Sequence, residues 1–188
     1  MRRQLGFTLI EMVVTVAVMA IGLGVAMPAV ARLVTSGRVI TGMHLMSASL
    51  ASARMAAISL PAPTVVCPIT PPRLRCRRDG VWDRGWMVFR DPRHMGQPEG
   101  RADILQVVER APSPLRLRSS VARRLIRFQP DGRAAGSNVV IRLCTGGELN
   151  AVVAVNNVGR VRSSRAAGRS DCAAAIAASR REQDPETP

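Results

Sequence analysis

The sequence predicts an α+β protein in which a long N-terminal helix packs against an antiparallel, sandwich-like β-sheet head. Three observations support this class: an apolar run at residues 7–31, helical spacing of apolar residues after it, and short β-prone segments beyond residue 61. Apolar residues recur about every 3.6 residues in a half-buried helix and every 2 residues in a half-buried strand, so their spacing distinguishes the two kinds of element. A single helical N-terminal third and a β-rich remainder are therefore expected.

The apolar run at residues 7–31 contains one charge, Glu11. It exceeds the roughly 20 apolar residues with which a helix spans a bilayer. A carboxylate at the bilayer centre costs on the order of 2.5–3.5 kcal/mol and therefore needs a partner. Cleavage between Gly6 and Phe7 would create an α-ammonium about one helical turn, ~6 Å, before Glu11. An ammonium of a neighbouring subunit would then neutralise this acid and set the register of assembly; an uncleaved signal anchor is the alternative.

The helix is predicted to continue to about Leu60, because Pro61 and Pro63 follow it. Apolar residues after the run recur at helical spacing and form one stripe, which we interpret as the packing face for the head. Polar residues occupy the opposite side. The stripe consists of Val39, Met43, Met46, Leu50, Ala53 and Ala57, and the polar side contains Thr41, His44, Ser52 and Ser59.

Short segments separated by Pro, Gly and Asp follow the helix and are predicted to be strands. Arginines alternate with apolar residues in two of them, at 115–118 and 141–143, which indicates a half-buried sheet. The last residues, 179–188, are polar and aperiodic and are predicted to be disordered. The predicted strands are 64–67, 86–91, 104–109, 115–118, 125–128, 139–144 and 149–156.

The segment GFTLIE, followed by an apolar helix, resembles the class III signal of type IV pilins and type II secretion pseudopilins. The resemblance implies that a prepilin peptidase cleaves after Gly6, that Phe7 is N-methylated, and that Glu11 acts in assembly with other pilins. It also implies an inner-membrane protein with a single span and a periplasmic head, incorporated into a pilus or pseudopilus. The expected parts are a leader (1–6), a transmembrane helix (7–31), its periplasmic continuation (32–60), a head (61–178) and a tail (179–188).

Two later motifs narrow the resemblance to the GspH/FimT minor pilins. Residues 82–91, WDRGWMVFRD, resemble a block of that family, and FQPDG at 128–132 resembles its F-x-P-x-G turn. Residues 143–144 and 155–162 resemble the closing strands of that family, so the resemblance extends to about Cys172. The aromatic residues Trp82, Trp86 and Phe89 are interpreted as core and rim residues that attach the sheet to the helix.

The chain is strongly basic, with a formal net charge of +14, and every basic residue is arginine. From residue 32 onwards there are 25 arginines and 12 acids. Such a charge attracts nucleic acid, acidic polysaccharide or an anionic membrane surface. A GC-rich genome is the alternative reason for the arginines.

The resemblance to FimT points to a Gly-Arg-x-Arg motif, which Gly159, Arg160 and Arg162 match. Two arginines separated by one residue on an extended segment project to the same face, roughly 6–7 Å apart. This spacing suits successive phosphates on one strand, and double-stranded DNA is the expected partner. The alternative is a solvated strand end. Further arginines expected to extend the surface are Arg165 and Arg169, with Arg142 on a neighbouring strand.

Four cysteines in the predicted head indicate an oxidising compartment. Three pairings are possible, and we favour Cys67 with Cys76 and Cys144 with Cys172, because each bond closes a segment beside a predicted strand. Each disulfide would contribute roughly 2–4 kcal/mol. A zinc site is disfavoured because close cysteine pairs are absent and His44 and His94 are the only histidines. No metal or cofactor is expected.

No nucleophile elbow, Walker loop or zinc-protease motif occurs, so no enzymatic activity is expected. Two functions remain. In one, a FimT-like minor pilin binds DNA non-specifically for uptake in transformation. In the other, a GspH-like type II secretion pseudopilin acts in protein secretion without binding DNA. The arginine-rich segment at 73–78 is interpreted as a solvated disulfide loop, with a second anionic contact as the alternative.

Overall fold

The computed structural model describes residues 8–109, 111, 113–119, 124–136, 138–168 and 170–181. Two α-helices, α1 and α2, enclose nine strands in the sequence, and a short 3-10 helix at Arg101–Asp103 precedes the third strand. The helices are α1 (Leu9–Ser59) and α2 (Cys172–Arg181). The strands are β1 (Thr64–Pro68), β2 (Trp86–Arg90), β3 (Ile104–Val108), β4 (Arg116–Arg118), β5 (Ile126–Phe128), β6 (Ala134–Ala135), β7 (Val139–Thr145), β8 (Glu148–Val155) and β9 (Val161–Arg165).

The chain divides into two compact units, Met1–Gly37 and Arg38–Pro188. In the first unit, the described large apolar side chains from Leu9 to Val34 are all exposed. Within the described residues, α1 is the one helix that is long and apolar enough to cross a membrane. By length and composition, this segment is a candidate membrane span.

The second unit contains two antiparallel sheets and the C-terminal part of α1. One sheet has the strand order β3-β2-β1-β5-β6, and the other has the order β4-β7-β8-β9. All strand pairs are antiparallel. The predicted α+β class, a long N-terminal helix on antiparallel sheets, is confirmed.

The face of α1 that contacts the sheets is the stripe expected from helical spacing. Met46, Leu50, Ala53 and Ala57 are fully buried in one core cluster with residues of both sheets. Val39 is also buried in that cluster, and Met43 packs against it. The expected polar side, Thr41, His44, Ser52 and Ser59, is exposed. Burial of this stripe is what attaches the helix to the head.

The two tryptophans are core residues, as expected, and each indole has a hydrogen-bond acceptor. Trp86 Nε1 donates to Ser49 Oγ on α1 at 2.9 Å, and Trp82 Nε1 donates to Ser119 Oγ at 2.9 Å. Phe89 is also fully buried, but it lies in a second cluster that contains no residue of α1, so the expectation that it attaches the sheet to the helix is wrong. Side chains alternate along β2, so Trp86 and Phe89 lie in different clusters.

The strands predicted from sequence pattern omit β6 and β9, although the family resemblance implied a closing strand at 155–162, and α2 was not predicted. Only two residues form β6, and the sequence of β9, VRSSR, lacks apolar alternation. Helix α2 continues to Arg181, so the tail predicted at 179–188 begins too early, and residues 182–188 lie outside the described part. Half of the residues of α2, CAAAIAASRR, are alanine, which gives no clear apolar period.

The two disulfides join Cys67 to Cys76 and Cys144 to Cys172, which is the pairing favoured from the sequence. Their Cα atoms are 5.4 Å and 6.2 Å apart, within the usual range for a disulfide. The first bond closes the connection after β1, and the second ties the start of α2 to β7. The first bond therefore attaches irregular chain to a sheet, and the second attaches a helix to a sheet.

Candidate functional site

Glu11 lies in the first turn of α1 and is exposed. Its backbone N–H donates to Thr8 Oγ1 at 3.4 Å, and its carboxylate pairs with no cation in the described part of the chain. Gly6 and Phe7 lie outside the described residues, so cleavage and methylation there stay predictions. A lone acid on an apolar helix requires a counter-charge from elsewhere in a membrane.

The arginine motif begins in a turn and continues into β9, the edge strand of its sheet. Within β9, Arg162 lies opposite Ala154 of β8, and Arg165 lies opposite the buried Ala151. Directly opposed residues share a face and successive residues alternate, so Arg162 and Arg165 lie on opposite faces. The expectation that Arg165 extends one track with Arg162 is therefore wrong, and Arg169 lies outside the described residues.

Arg142 is also placed differently from the expectation of a neighbouring strand. It lies on β7, opposite Val152 of β8, which in turn lies opposite Ser164 of β9. Arg142 thus lies on the same face of the sheet as Arg162. Because β8 lies between β7 and β9, these two strands are about 10 Å apart. Both Arg142 and Arg165 already take part in interactions within the protein.

A close contact between two turns holds the start of the motif in place. Gly159 has φ +76°, and a Cβ there would lie 2.0 Å from the carbonyl oxygen of Gly132. The same oxygen accepts a hydrogen bond from Arg54 Nε of α1 at 3.0 Å. In the second turn, Asn156 Oδ1 accepts the Arg160 N–H at 2.8 Å. The turn from the F-x-P-x-G motif therefore packs on the glycine of the arginine motif.

Sequence reasoning missed this contact, although both glycines were in the quoted motifs. It also missed Arg54 and Asn156, which support the two turns. The available signal was the turn composition, NNVG at 156–159 and PDG at 130–132. Sequence alone did not indicate that these turns meet.

Arg160 and Arg162 are exposed, and neither forms an ion pair with a described acid. No acid occurs in the sequence between Glu148 and Asp171, a stretch that includes all of β9. Other arginines of the head are paired: Arg77, Arg90, Arg93, Arg118 and Arg127 each contact an Asp or Glu. The positive charges of Arg160 and Arg162 are thus left uncompensated by described acids. Among the described residues, no group of three or more His, Cys, Asp or Glu side chains is placed to hold a metal ion.

An exposed apolar helix joined to a β-rich head is the architecture of a pilin-like subunit. The family model of the type II transport protein GspH matches residues 43–159, and the prokaryotic N-terminal methylation motif matches residues 1–27. The chain belongs to the GspH family and is a minor pilin or pseudopilin. Its family and fold are those of structural pilins, and the methylation motif implies pilin partners and processing by a prepilin peptidase.

Solved structures show the same fold. Two crystal structures of the type IV minor pilin FimU from Pseudomonas aeruginosa strain PAO1 are similar to this chain. The first has a TM-score of 0.56 and 14% identity, over 72% of this chain and 96% of FimU. The second has a TM-score of 0.53 and 15% identity, over 70% of this chain and 98% of FimU. No curated protein matches the sequence.

The two family matches include some of the candidate site residues and leave out others. Gly6, Phe7 and Glu11 fall inside the methylation motif. The GspH match includes Gly159 but ends one residue before Arg160. Membership of the family therefore does not assign a role to the arginines of β9.

Proposed function

We propose that this subunit is anchored in the inner membrane by α1, carries its head in the periplasm, and binds DNA non-specifically through the β9 edge. As a FimT-like member, it would serve DNA uptake in transformation as part of a type IV pilus. The assembly part and the DNA part rest on different residues.

Assembly is proposed to use the residues of the methylation motif. Cleavage after Gly6 and methylation of Phe7 would leave a cationic N-terminus near Glu11. The carboxylate of Glu11 would then pair with the N-terminus of a neighbouring subunit. The exposed apolar surface of α1, from Leu9 to Val34, supports this proposal because it has no cover within its own unit.

The DNA proposal rests on one observation: Arg160 and Arg162 are exposed and uncompensated at the edge of a sheet, in an acid-free stretch. Guanidinium groups match the geometry of phosphate oxygens and can contact them with two N–H groups. Phosphate contacts carry no sequence information, so binding should be independent of sequence and strongly salt-dependent. The rigid turn at Gly159 would fix the first arginine before DNA arrives.

The test compares Arg160→Gln/Arg162→Gln with the parent chain, full-length in non-ionic detergent, by fluorescence anisotropy on a labelled DNA duplex. Each phosphate contact contributes about 0.9 to the slope of log K against log salt. The double variant should therefore lose nearly 2 from that slope. A matched variant, Arg84→Gln/Arg101→Gln, removes two exposed charges elsewhere in the head.

Equal affinity and equal slope for the parent and the β9 variant would refute the assignment of this motif. A slope loss of the same size in both variants would show a general charge effect. The melting temperature should stay unchanged in both variants, because the substituted side chains are exposed.

A second candidate function is that of a GspH-like pseudopilin in type II secretion, without DNA binding. The description of the matching family, type II transport protein GspH, favours it. This function predicts no detectable binding of the parent chain to a duplex at low salt. It also predicts loss of exported protein from the medium when the gene is deleted.

A further inference from the structure

We propose a second phosphate-binding surface on this head, formed by residues 70–79 between β1 and β2, which binds the phosphodiester backbone of nucleic acid. We call these residues the arginine loop. The proposal is independent of β9, because none of its residues belongs to the Gly-Arg-x-Arg motif. It replaces the interpretation of this segment as a merely solvated disulfide loop.

The arginine loop has more positive charge than its own acid can compensate. It contains four arginines and one acid, Asp79. Arg77 pairs with Asp79 and also donates to Thr70 Oγ1. The Arg77 guanidinium, by hydrogen bonding, holds the pKa of Asp79 below its usual value, so this pair stays ionised at neutral pH. Three exposed arginines, Arg73, Arg75 and Arg78, have no acid partner among the described residues.

The backbone of the loop is held in place before any ligand binds. The disulfide joins Cys76 to Cys67, which is fully buried in the second hydrophobic cluster. Leu74 packs against the same cluster, between the two exposed arginines that flank it. The side-chain amide of Gln97 accepts the Cys76 N–H at 2.9 Å and donates to the Cys76 carbonyl oxygen at 3.1 Å.

Two backbone hydrogen bonds complete this support. The Arg73 N–H donates to the Thr70 carbonyl oxygen at 3.1 Å, and the Arg77 N–H donates to the Pro68 carbonyl oxygen at 2.8 Å. Binding to an ordered loop avoids part of the entropy that a flexible one would lose. The backbone that carries the arginines is therefore ordered before a ligand binds.

Three of the four arginines of the loop lie at a concave surface, together with Thr70, Pro71, Pro72 and Cys76. A cavity of about 470 Å³ lies beside the loop, and Arg73, Arg75 and Arg77 contribute to its lining. Guanidinium groups match the geometry of phosphate oxygens, and Arg73 and Arg75, which have no acid partner among the described residues, both lie at this surface. Arg78 is exposed but lies outside this lining, so the positive surface is larger than one phosphate requires.

This extension favours a polymer of phosphates over a single phosphate or a lipid headgroup. The loop offers no aromatic side chain on which bases would stack, so recognition would be confined to the backbone. Contacts of this kind are indifferent to base sequence and depend strongly on salt. A double-stranded DNA of arbitrary sequence is therefore the appropriate probe.

The experiment uses the full-length chain in non-ionic detergent and a labelled DNA duplex. The variant Arg73→Gln/Arg75→Gln/Arg78→Gln is compared with Arg84→Gln/Arg101→Gln/Arg116→Gln, which removes three exposed charges from other parts of the head. The loop variant should lose about 2 to 2.7 from the slope of log K against log salt. The ratio of parent affinity to variant affinity should thus be roughly 15- to 40-fold smaller at 200 mM salt than at 50 mM salt. The control should change less.

Equal slopes for the loop variant and the control would overturn the proposal. A loop variant that binds the duplex normally but no longer binds phosphatidylglycerol vesicles would also overturn it, in favour of a lipid surface. Combination with Arg160→Gln/Arg162→Gln separates the two sites, because independent slope losses should add. If the β9 variant binds normally and the loop variant does not, the β9 assignment fails and the loop proposal stands.

Discussion

The contact between Gly159 and Gly132 gives the sharpest prediction of a stability change. In Gly159→Ala, the new methyl group would lie 2.0 Å from the Gly132 carbonyl oxygen and 3.2 Å from Arg54 Nε. Backbone atoms cannot yield as a flexible side chain can, so one of the two turns must move. Movement of Gly132 would also break its hydrogen bond with Arg54.

The expected loss follows from three contributions. A left-handed conformation costs a non-glycine residue about 1–2 kcal/mol. Loss of a hydrogen bond to a charged donor costs about 1.5–3 kcal/mol. Alanine also reduces the conformational freedom of the unfolded chain, which offsets about 0.4–1 kcal/mol of this loss. We expect a net loss of about 3 kcal/mol, which for a domain of this size lowers the melting temperature by roughly 6–12 °C.

The measurement is a thermal melt followed by tryptophan fluorescence, since Trp82 and Trp86 are both fully buried. Gly146→Ala is the matched control. Gly146 has φ +58°, and a Cβ there would meet nothing within 4 Å. Gly146→Ala should therefore lower the free energy of unfolding by the conformational cost alone, about 1 kcal/mol, and the melting temperature by roughly 2–4 °C.

A melting temperature for Gly159→Ala within 2 °C of that for Gly146→Ala would refute the reasoning, because the close approach would then contribute nothing. Destabilisation without weaker DNA binding would separate the two roles of the turn. It would show that the turn supports the fold but does not position Arg160.

Two further predictions concern stability. Trp86→Phe leaves the buried hydroxyl of Ser49 without its donor and should cost at least about 1–3 kcal/mol in denaturant unfolding followed by circular dichroism. Combining it with Ser49→Ala should cost less than the sum of the single changes, and strict additivity would contradict the hydrogen bond. Asp79→Asn should make stability less dependent on pH in acid. The lowered pKa of Asp79 beside Arg77 means that its contribution is complete above about pH 4 and is lost as the pH falls through the folded value. Identical acid-unfolding curves for variant and parent would contradict this.

The parts of the fold that were predictable are those in which burial follows a local period. Met46, Leu50 and Ala53 recur at helical spacing, and all three are fully buried. In β7, Ile141 and Leu143 alternate with more exposed residues, and both are in the core. A segment with one buried face shows that face in its own sequence.

The parts that were missed lack such a period. Strand β9 is exposed over most of its length, and its strand conformation follows from pairing with β8. The same pairing places Arg165 opposite Ala151 and so separates it from Arg162. Phe89 was assigned to the wrong cluster because the sequence did not show that both faces of β2 are covered.

The amino-acid sequence by itself determined the apolar helix with its single acid, the methylation motif, the excess of arginine and the stripe that buries the helix. Each of these is a property of one contiguous segment. Tertiary structure decided which arginines are compensated, since Arg118 meets Asp83 and Arg127 meets Asp91 across long sequence separations. It also decided that Gly159 meets Gly132. Such contacts depend on strand pairing and packing between segments that are distant in the sequence, so a local sequence pattern does not predict them.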